Sequence, residues 1–152
     1  MAFSIHNMLN NTKITRVSVD GAGAASATPT KGTIVDMQGY ESVCFVAALG
    51  NVLDTSEVAL KAAGSDTNST GTMALYAGSA AGTAGASTYD DKLVILDVVR
   101  PPHRYVEVQI FHVTANAPFD DIIAILYNPT QKPVVQDSTV ILSETLETPV
   151  LA

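Results

Sequence analysis

The side chains with the most obvious capacity for chemistry are two histidines and three aspartates in the second half of the chain. His103 and His112 lie near Asp97, Asp120 and Asp121 in the sequence, a combination that can hold a metal or transfer protons. The two histidines are nine positions apart, and on a regular strand they face opposite sides. We therefore expect structural roles: His103 at a loop corner, and His112 on the apolar side of a strand end.

The other motifs carry little chemistry. Asp90-Asp91 and Asp120-Asp121 each precede an apolar run, but adjacent strand residues point to opposite faces, so neither pair suits acid–base catalysis. We expect these carboxylates to keep strand entrances soluble. The run GSAAGTAG at residues 78–85 lacks the Lys-Ser/Thr of a phosphate-binding loop, and neither GxSxG nor HExxH occurs. The sequence predicts no catalytic residue, no metal site and no cofactor.

Composition restricts the kinds of partner. The 15 acidic and 8 basic residues give a net charge of −7 without a basic cluster, so direct nucleic-acid binding is not expected. No apolar run reaches the roughly 18 residues of a membrane span, and no signal peptide is recognisable. Cys44, the single cysteine, excludes a disulfide within the chain and is expected to be a small buried hydrophobe. Because only 15% of residues are charged and 47% are hydrophobic, we expect part of the surface to be buried against other subunits.

The elements that must position these residues are three consecutive β-type runs within residues 93–129. The middle run alternates between apolar and polar side chains (Val106, Val108, Ile110; Glu107, Gln109), which predicts a half-buried strand. The flanking runs, 93–99 and 122–127, are apolar on both faces apart from Asp97. We expect both sides of the sheet to be covered where they lie.

The first half of the chain predicts shorter strands separated by flexible loops. Residues 43–49 form a buried strand around Phe45, and an edge strand, a short strand and a third segment are expected at 14–19, 33–37 and 72–76. The Gly- and Ala-rich tracts 20–30 and 77–88 are predicted to be surface loops. For residues 52–63 the sequence allows two secondary structures. Asp54 and Glu57 resemble a capping box and indicate a helix, whereas the alternation of apolar and polar residues favours a strand.

This spacing of short strands predicts an all-β protein: a single antiparallel β-sandwich or jelly-roll-like domain with extended terminal arms. We divide the chain into an N-terminal arm (1–12), a β-sandwich domain (13–130) and a C-terminal arm (131–152). Both arms carry apolar side chains that are too sparse for a core strand yet too numerous for a solvated tail. An arm lying across another subunit would bury them.

Four stretches of the sequence resemble the capsid decoration, or cement, proteins of tailed bacteriophages. Together they cover about half of the chain: NNTKITRV (10–17), IVDMQGYESVCFVAALG (34–50), LVILDVVRPPHRYVEVQIFHVTANAPFDDIIAILYNP (93–129) and KPVVQDSTVILSETLETPV (132–150). The resemblance implies an oligomeric β-sandwich or jelly roll that binds the outside of a capsid and clamps neighbouring capsomers. It further implies that the protein is made in the host cytoplasm and ends up on the virion exterior.

On this hypothesis the partners are the major capsid protein and further copies of the chain, with a trimer favoured over a dimer, and neither nucleic acid nor membrane is bound. The alternatives are another virion component, such as a head-fibre base or tail protein, and a carbohydrate-binding β-sandwich. Two arginines of the RPPHR corner could pair with acidic capsid groups, although a local salt bridge is the commoner outcome. The expected partner-binding residues are Phe3, Ile5, Leu9, Arg100, Arg104, Val140, Leu142, Leu146 and Val150.

Overall fold

The structure, a computed structural model, describes residues 7–17, 25–85 and 88–146. Within them the chain forms one short α-helix, one 3-10 turn (Thr70–Thr72) and ten strands. The helix is α1 (Met8–Asn11), and the strands are β1 (Lys13–Arg16), β2 (Ser26–Lys31), β3 (Val35–Asp36), β4 (Tyr40–Leu49), β5 (Glu57–Ser65), β6 (Ala74–Leu75), β7 (Ala80–Thr83), β8 (Leu93–Val99), β9 (Tyr105–Val113) and β10 (Phe119–Pro129).

The strands form two antiparallel sheets that pack face to face. Sheet A has the order β1-β10-β4-β8, and sheet B has the order β2-β9-β5-β6, with β3 also on β9 and β7 also on β5. The predicted all-β sandwich is confirmed. The three consecutive runs within 93–129 do not lie side by side, because the chain passes from sheet A to sheet B and back.

The core lies between the sheets and is built from alternate residues of the long strands. Its largest fully buried apolar side chains come from both sheets: Phe45, Leu60, Ile110, Ile122 and Leu126. Each such side chain contributes about 1.5–3 kcal/mol when it leaves water. The predicted strand around Phe45 is confirmed, and the open segment near Glu57 is a strand, β5.

The first difference from the sequence prediction concerns β8, which was expected to be covered on both sides. β8 is the edge strand of sheet A, and Leu93, Ile95 and Val99 on its outer side are 62%, 55% and 62% exposed. An apolar pattern on both faces is the same for a central strand and for an edge strand that lacks a cover. The prediction of coverage was therefore wrong for the single chain.

The second difference concerns the polar side of β9, where Glu107 and Gln109 were expected to lie opposite the buried side. Both are buried, Glu107 completely. Lys31 pairs with Gln109 across the β2–β9 ladder, and its Nζ donates to the Thr70 carbonyl oxygen over 3.0 Å, in the segment that follows β5. This contact joins the two flanks of β9 on the side that carries Glu107.

The third difference is that both tracts predicted as loops contain strands. Residues 20–30 include most of β2, and residues 77–88 include β7. Backbone hydrogen bonds to β9 and β5 form these strands, and their small side chains contribute little periodicity to the sequence. In β7 a Cβ atom at Gly82 would lie 2.0 Å from the Tyr89 hydroxyl oxygen, so a larger residue there would displace the Tyr89 side chain.

Candidate interaction surfaces

The RPPHR corner after β8 places its two arginines on acidic groups of the same chain. The Arg104 guanidinium donates to both carboxylate oxygens of Asp36, over 2.9 and 2.8 Å, and this contact lowers the pKa of Asp36. Arg100 donates to the Glu41 carboxylate. From the sequence, these arginines could pair with acidic groups of a capsid or of the same chain, and the structure shows pairing within the chain. Exposed pairs of this kind contribute about 0–1 kcal/mol each to the free energy of unfolding.

The expected N-terminal anchors are only partly described. Phe3 and Ile5 lie outside the described residues. Leu9 lies in α1, a single turn with Asn7 as its N-cap. The Asn7 side-chain oxygen accepts from the Asn10 N–H over 2.8 Å. The Leu9 side chain is half-buried, so this part of the N-terminal arm is folded onto the domain.

The first part of the C-terminal arm lies along β1. Gln136 Oε1 accepts from the Ile14 N–H over 2.9 Å, and Gln136 Nε2 donates to the carbonyl oxygens of Leu9 and Thr12 over 2.8 and 2.7 Å. Thr139 Oγ1 accepts from the Arg16 N–H over 3.0 Å. Side-chain oxygens of the arm thus accept hydrogen bonds from two backbone N–H groups of β1, which is one of the two edge strands of sheet A.

Beyond this attachment the arm leaves the domain. Val140 is still half-buried, whereas Ile141, Leu142 and Leu146 are 92%, 87% and 72% exposed. Residues 141–146 contain no helix or strand, and the expected anchor Val150 lies outside the described residues. The structure therefore separates a docked part of the arm, ending at Thr139, from a projecting apolar part.

The outer face of sheet A is also apolar. The ladders place Ile123 of β10 beside Val46 of β4, and Val46 beside Ile95 of β8. The rows on either side continue the pattern. The apolar residues of the face are Ile14, Cys44, Val46, Ala48, Leu93, Ile95, Val99, Ile123 and Ile125, and its polar residues are Arg16, Ser42, Asp97, Asp121 and Tyr127. Cys44 was expected to be buried in the core, but it lies half-buried on this face.

Two clefts adjoin β8 on the side where the sandwich is open. One, of about 470 Å³, lies between β7 and the start of β8 and is lined by Ala80, Gly82, Tyr89 and Val94. The other, of about 310 Å³, lies between residues 76–79 and the end of β8. Their walls are mostly apolar, and half-buried side chains of β8 form one wall of each.

The outer side of β9 carries a buried polar pair that the sequence analysis did not identify. Gln109 Nε2 donates to Glu107 Oε1 over 2.8 Å, while Glu107 Oε2 has no hydrogen-bond partner among the described residues. Burial raises the pKa of the Glu107 carboxyl, against smaller lowering contributions from Gln109 and Lys31. An alternating Glu-Val-Gln pattern is equally typical of a solvated strand face, so it gave no signal of this pair.

The histidines lie apart and occupy the positions expected of them. His103 is at the corner, with its Nδ1 3.2 Å from the Tyr76 hydroxyl oxygen. His112 faces the core, where burial lowers its pKa and neither ring nitrogen has a partner among the described residues. The described part of the chain contains no group of three potential metal ligands and no helix long and apolar enough to cross a membrane.

Comparisons with known proteins identify no relative. No protein-family model, no curated protein and no solved structure matches the chain. What the chain presents for function is therefore its own geometry: a projecting apolar arm, an apolar outer face on sheet A, and an edge strand flanked by clefts.

Proposed function

We propose that the protein is a non-enzymatic virion protein that binds the outer surface of a bacteriophage capsid and stabilises contacts between capsomers. The observation that carries the proposal is the apolar surface that the folded chain leaves uncovered on sheet A and on the projecting arm. Monomeric soluble proteins rarely expose contiguous apolar patches larger than a few hundred Å², and larger ones mark interaction sites.

The choice of partner rests on the resemblance to cement proteins and on charge. The chain carries a net charge of −7, which opposes binding to packaged or stray nucleic acid. Arg100 and Arg104 are paired within the chain, so the contact with the major capsid protein relies on apolar burial more than on these cations. The arms and the outer face of sheet A supply that burial.

A carbohydrate-binding role has less support. Sugar sites present exposed aromatic platforms, and the chain has no tryptophan. Tyr40, Tyr76 and Tyr89, the candidates for such platforms, are partly buried and pack against the core. The remaining alternative, a head-fibre base or tail component, uses the same apolar surface at a different place on the virion.

The proposal is tested by co-sedimentation with shells that lack the protein, prepared from the phage that encodes it. We expect saturable binding at many copies per shell. Changing Leu142 and Leu146 to Asp should weaken the binding strongly, because both exposed side chains then lose apolar burial. Changing Ser143 and Thr145 to Asp adds the same charge to the same segment and is the matched control.

Two results would contradict the proposal. The first is wild-type protein that stays in the supernatant while folded and intact. The second is equal weakening by the two pairs of substitutions, which would show that charge, and not apolar burial, governs the effect of the arm.

A further inference from the structure

The two edges of sheet A differ in how they are covered. At the β1 edge, Gln136 and Thr139 take backbone N–H groups of the strand. At the other edge, β8 pairs with β4 along its whole length, from Val99 opposite Ser42 to Leu93 opposite Ala48. The backbone N–H and C=O groups of β8 that point away from β4 form the free edge of the sheet. In the described ranges 7–17, 25–85 and 88–146, no strand or side chain makes a hydrogen bond to these groups.

The β8 edge lacks the usual protection against strand pairing. Natural edge strands are short, bulged, charged or interrupted by proline. β8 has seven residues in an unbroken register. Its one charge, Asp97, accepts a hydrogen bond from the Tyr127 hydroxyl over 2.8 Å. An apolar edge of this kind favours the addition of a further strand.

The clefts beside β8 give an added strand a place for its side chains. A strand on this edge presents alternate side chains to the outer face of sheet A and to the open side of the sandwich. The outer row would lie beside Leu93, Ile95 and Val99, and the inner row would enter the two clefts, of about 470 and 310 Å³. Both rows of the incoming segment should therefore contain apolar residues.

The projecting part of the C-terminal arm has this composition. In residues 140–146, VILSETL, both alternating rows contain apolar side chains, and three of these are more than 70% exposed. Lys92 directly precedes β8, and the arm brings Glu144, so these two charges are opposite in sign.

The arm leaves its own domain at the opposite edge of the sheet. Thr139 is attached to β1, and β8 is three strand positions away, about 14 Å across the sheet. To pair with its own β8, the segment would have to cross the outer face and then turn along the strand. In the structure Ile141 and Leu142 are 92% and 87% exposed, so they do not lie on that face. A second copy requires no such turn.

We propose that the edge of β8, with its two clefts, receives residues 140–146 of a second copy of the chain as an added strand. Each copy then both donates an arm and accepts one, a head-to-tail contact that closes into a ring when the rotation between copies permits. The inference rests on the proposed function for the role of the arm, and it identifies the surface that receives it.

Disulfide trapping tests the inference on the purified, full-length protein. With Cys44→Ser as background, one chain carries Ile95→Cys and another carries a single cysteine at one of the positions 140–146. Paired strands bring Cα atoms to about 4.5–5.5 Å, within the range of a disulfide. We expect a cross-linked pair of chains, with the yield alternating along the arm. The matched control acceptor is Ile123→Cys, on the same face but two strands inward.

Three results would overturn the inference: no cross-link to Ile95→Cys from any arm position, equal cross-linking to Ile123→Cys, or closure within one chain when both cysteines are on it. The mass in solution gives a second measurement. Ile95→Lys and deletion of residues 140–152 should each abolish the oligomer, whereas Ile123→Lys should retain it; loss of the oligomer in all three would also contradict the inference.

Both measurements use no capsid, so their failure is distinct from failure of the proposed function. Protein that binds shells but shows no cross-link would retain the capsid role and lose the arm exchange. Protein that cross-links but does not bind shells would retain the arm exchange and contradict the capsid role.

Discussion

Glu107 is the most unusual single residue of the fold, because its carboxyl group is fully buried with one oxygen lacking a described partner. Burial disfavours the charged form and raises the pKa. The folded state therefore binds a proton more tightly than the unfolded state. Its contribution to stability is complete below the ordinary pKa of 4.5 and is lost as the pH rises through the raised value.

We expect Glu107→Gln to remove this pH dependence, because the amide keeps an oxygen that can accept from Gln109 and carries no charge. In urea unfolding from pH 4 to pH 8, the advantage of the variant over the wild type should grow with pH and then level off. Glu57→Gln, an exposed change on the neighbouring β5, is the control. Parallel curves for Glu107→Gln and wild type would show that the carboxyl does not titrate in this way.

The contribution of His112 to stability depends on pH in the opposite direction. Burial lowers its pKa, so the fold holds the neutral ring, and its contribution to stability is present above the ordinary pKa of 6.5 and lost as the pH falls through the lowered value. His112→Leu should be more stable than wild type below pH 6, with the difference narrowing toward pH 7.5. A constant difference between the two proteins over this range, measured by thermal unfolding, would contradict the assignment.

Among the elements, Gln136 makes the most side-chain hydrogen bonds in the attachment of the C-terminal arm, beside the contact of Thr139 with Arg16. Gln136 makes three hydrogen bonds, to Ile14, Leu9 and Thr12. We expect Gln136→Ala to lower the free energy of unfolding by about 1–3 kcal/mol, since partly buried backbone groups lose their partner. It should also speed proteolysis after residue 130. Gln131→Ala, at an exposed position, should change neither; equal effects of both changes would show that Gln136 does not hold the arm.

The elements also show what the sequence could and could not predict. The alternation of Val106, Val108 and Ile110 is a local property, so β9 and its core-facing side followed from it directly. The burial of Glu107 arises in the folded structure, where residues distant in the chain come together, as Lys31 and Thr70 do from 39 positions apart, and no local pattern records it. β7 was missed because its residues are small and its pairing is made by the backbone.

The interaction surfaces likewise include one that the sequence predicted and one that it did not. The sequence predicted a C-terminal arm, because apolar side chains scattered through a polar tail cannot build a core strand. It did not predict that Gln136 and Thr139 attach the first part of this arm to β1 of the same chain. Nor did it predict the outer face of sheet A, because an apolar pattern on both sides of β8 describes a covered strand and an uncovered edge equally well. That difference depends on whether a further layer covers the outer face of sheet A. The described residues form only two sheets, and Ile123 of the central strand β10 is exposed on that face as well.

For the whole molecule, we propose one common cause for the uncovered apolar surface and the low charge, namely that the chain buries its remaining apolar surface in an assembly. Each Å² of buried apolar surface contributes roughly 25 cal/mol to stability. The exposed residues of β8 and of the arm make no such contribution in the single chain. Contacts between copies and with a capsid would both supply it. Neither needs a catalytic group.

Electron microscopy of shells incubated with the purified protein is the most direct test of the capsid role. We predict additional density at regularly repeated sites over the whole outer surface, with arms extending between neighbouring capsomers, and higher resistance of the decorated shells to heat. Density confined to a single vertex would instead indicate a fibre or tail component. Bare shells in the presence of folded, full-length protein would contradict the proposed function.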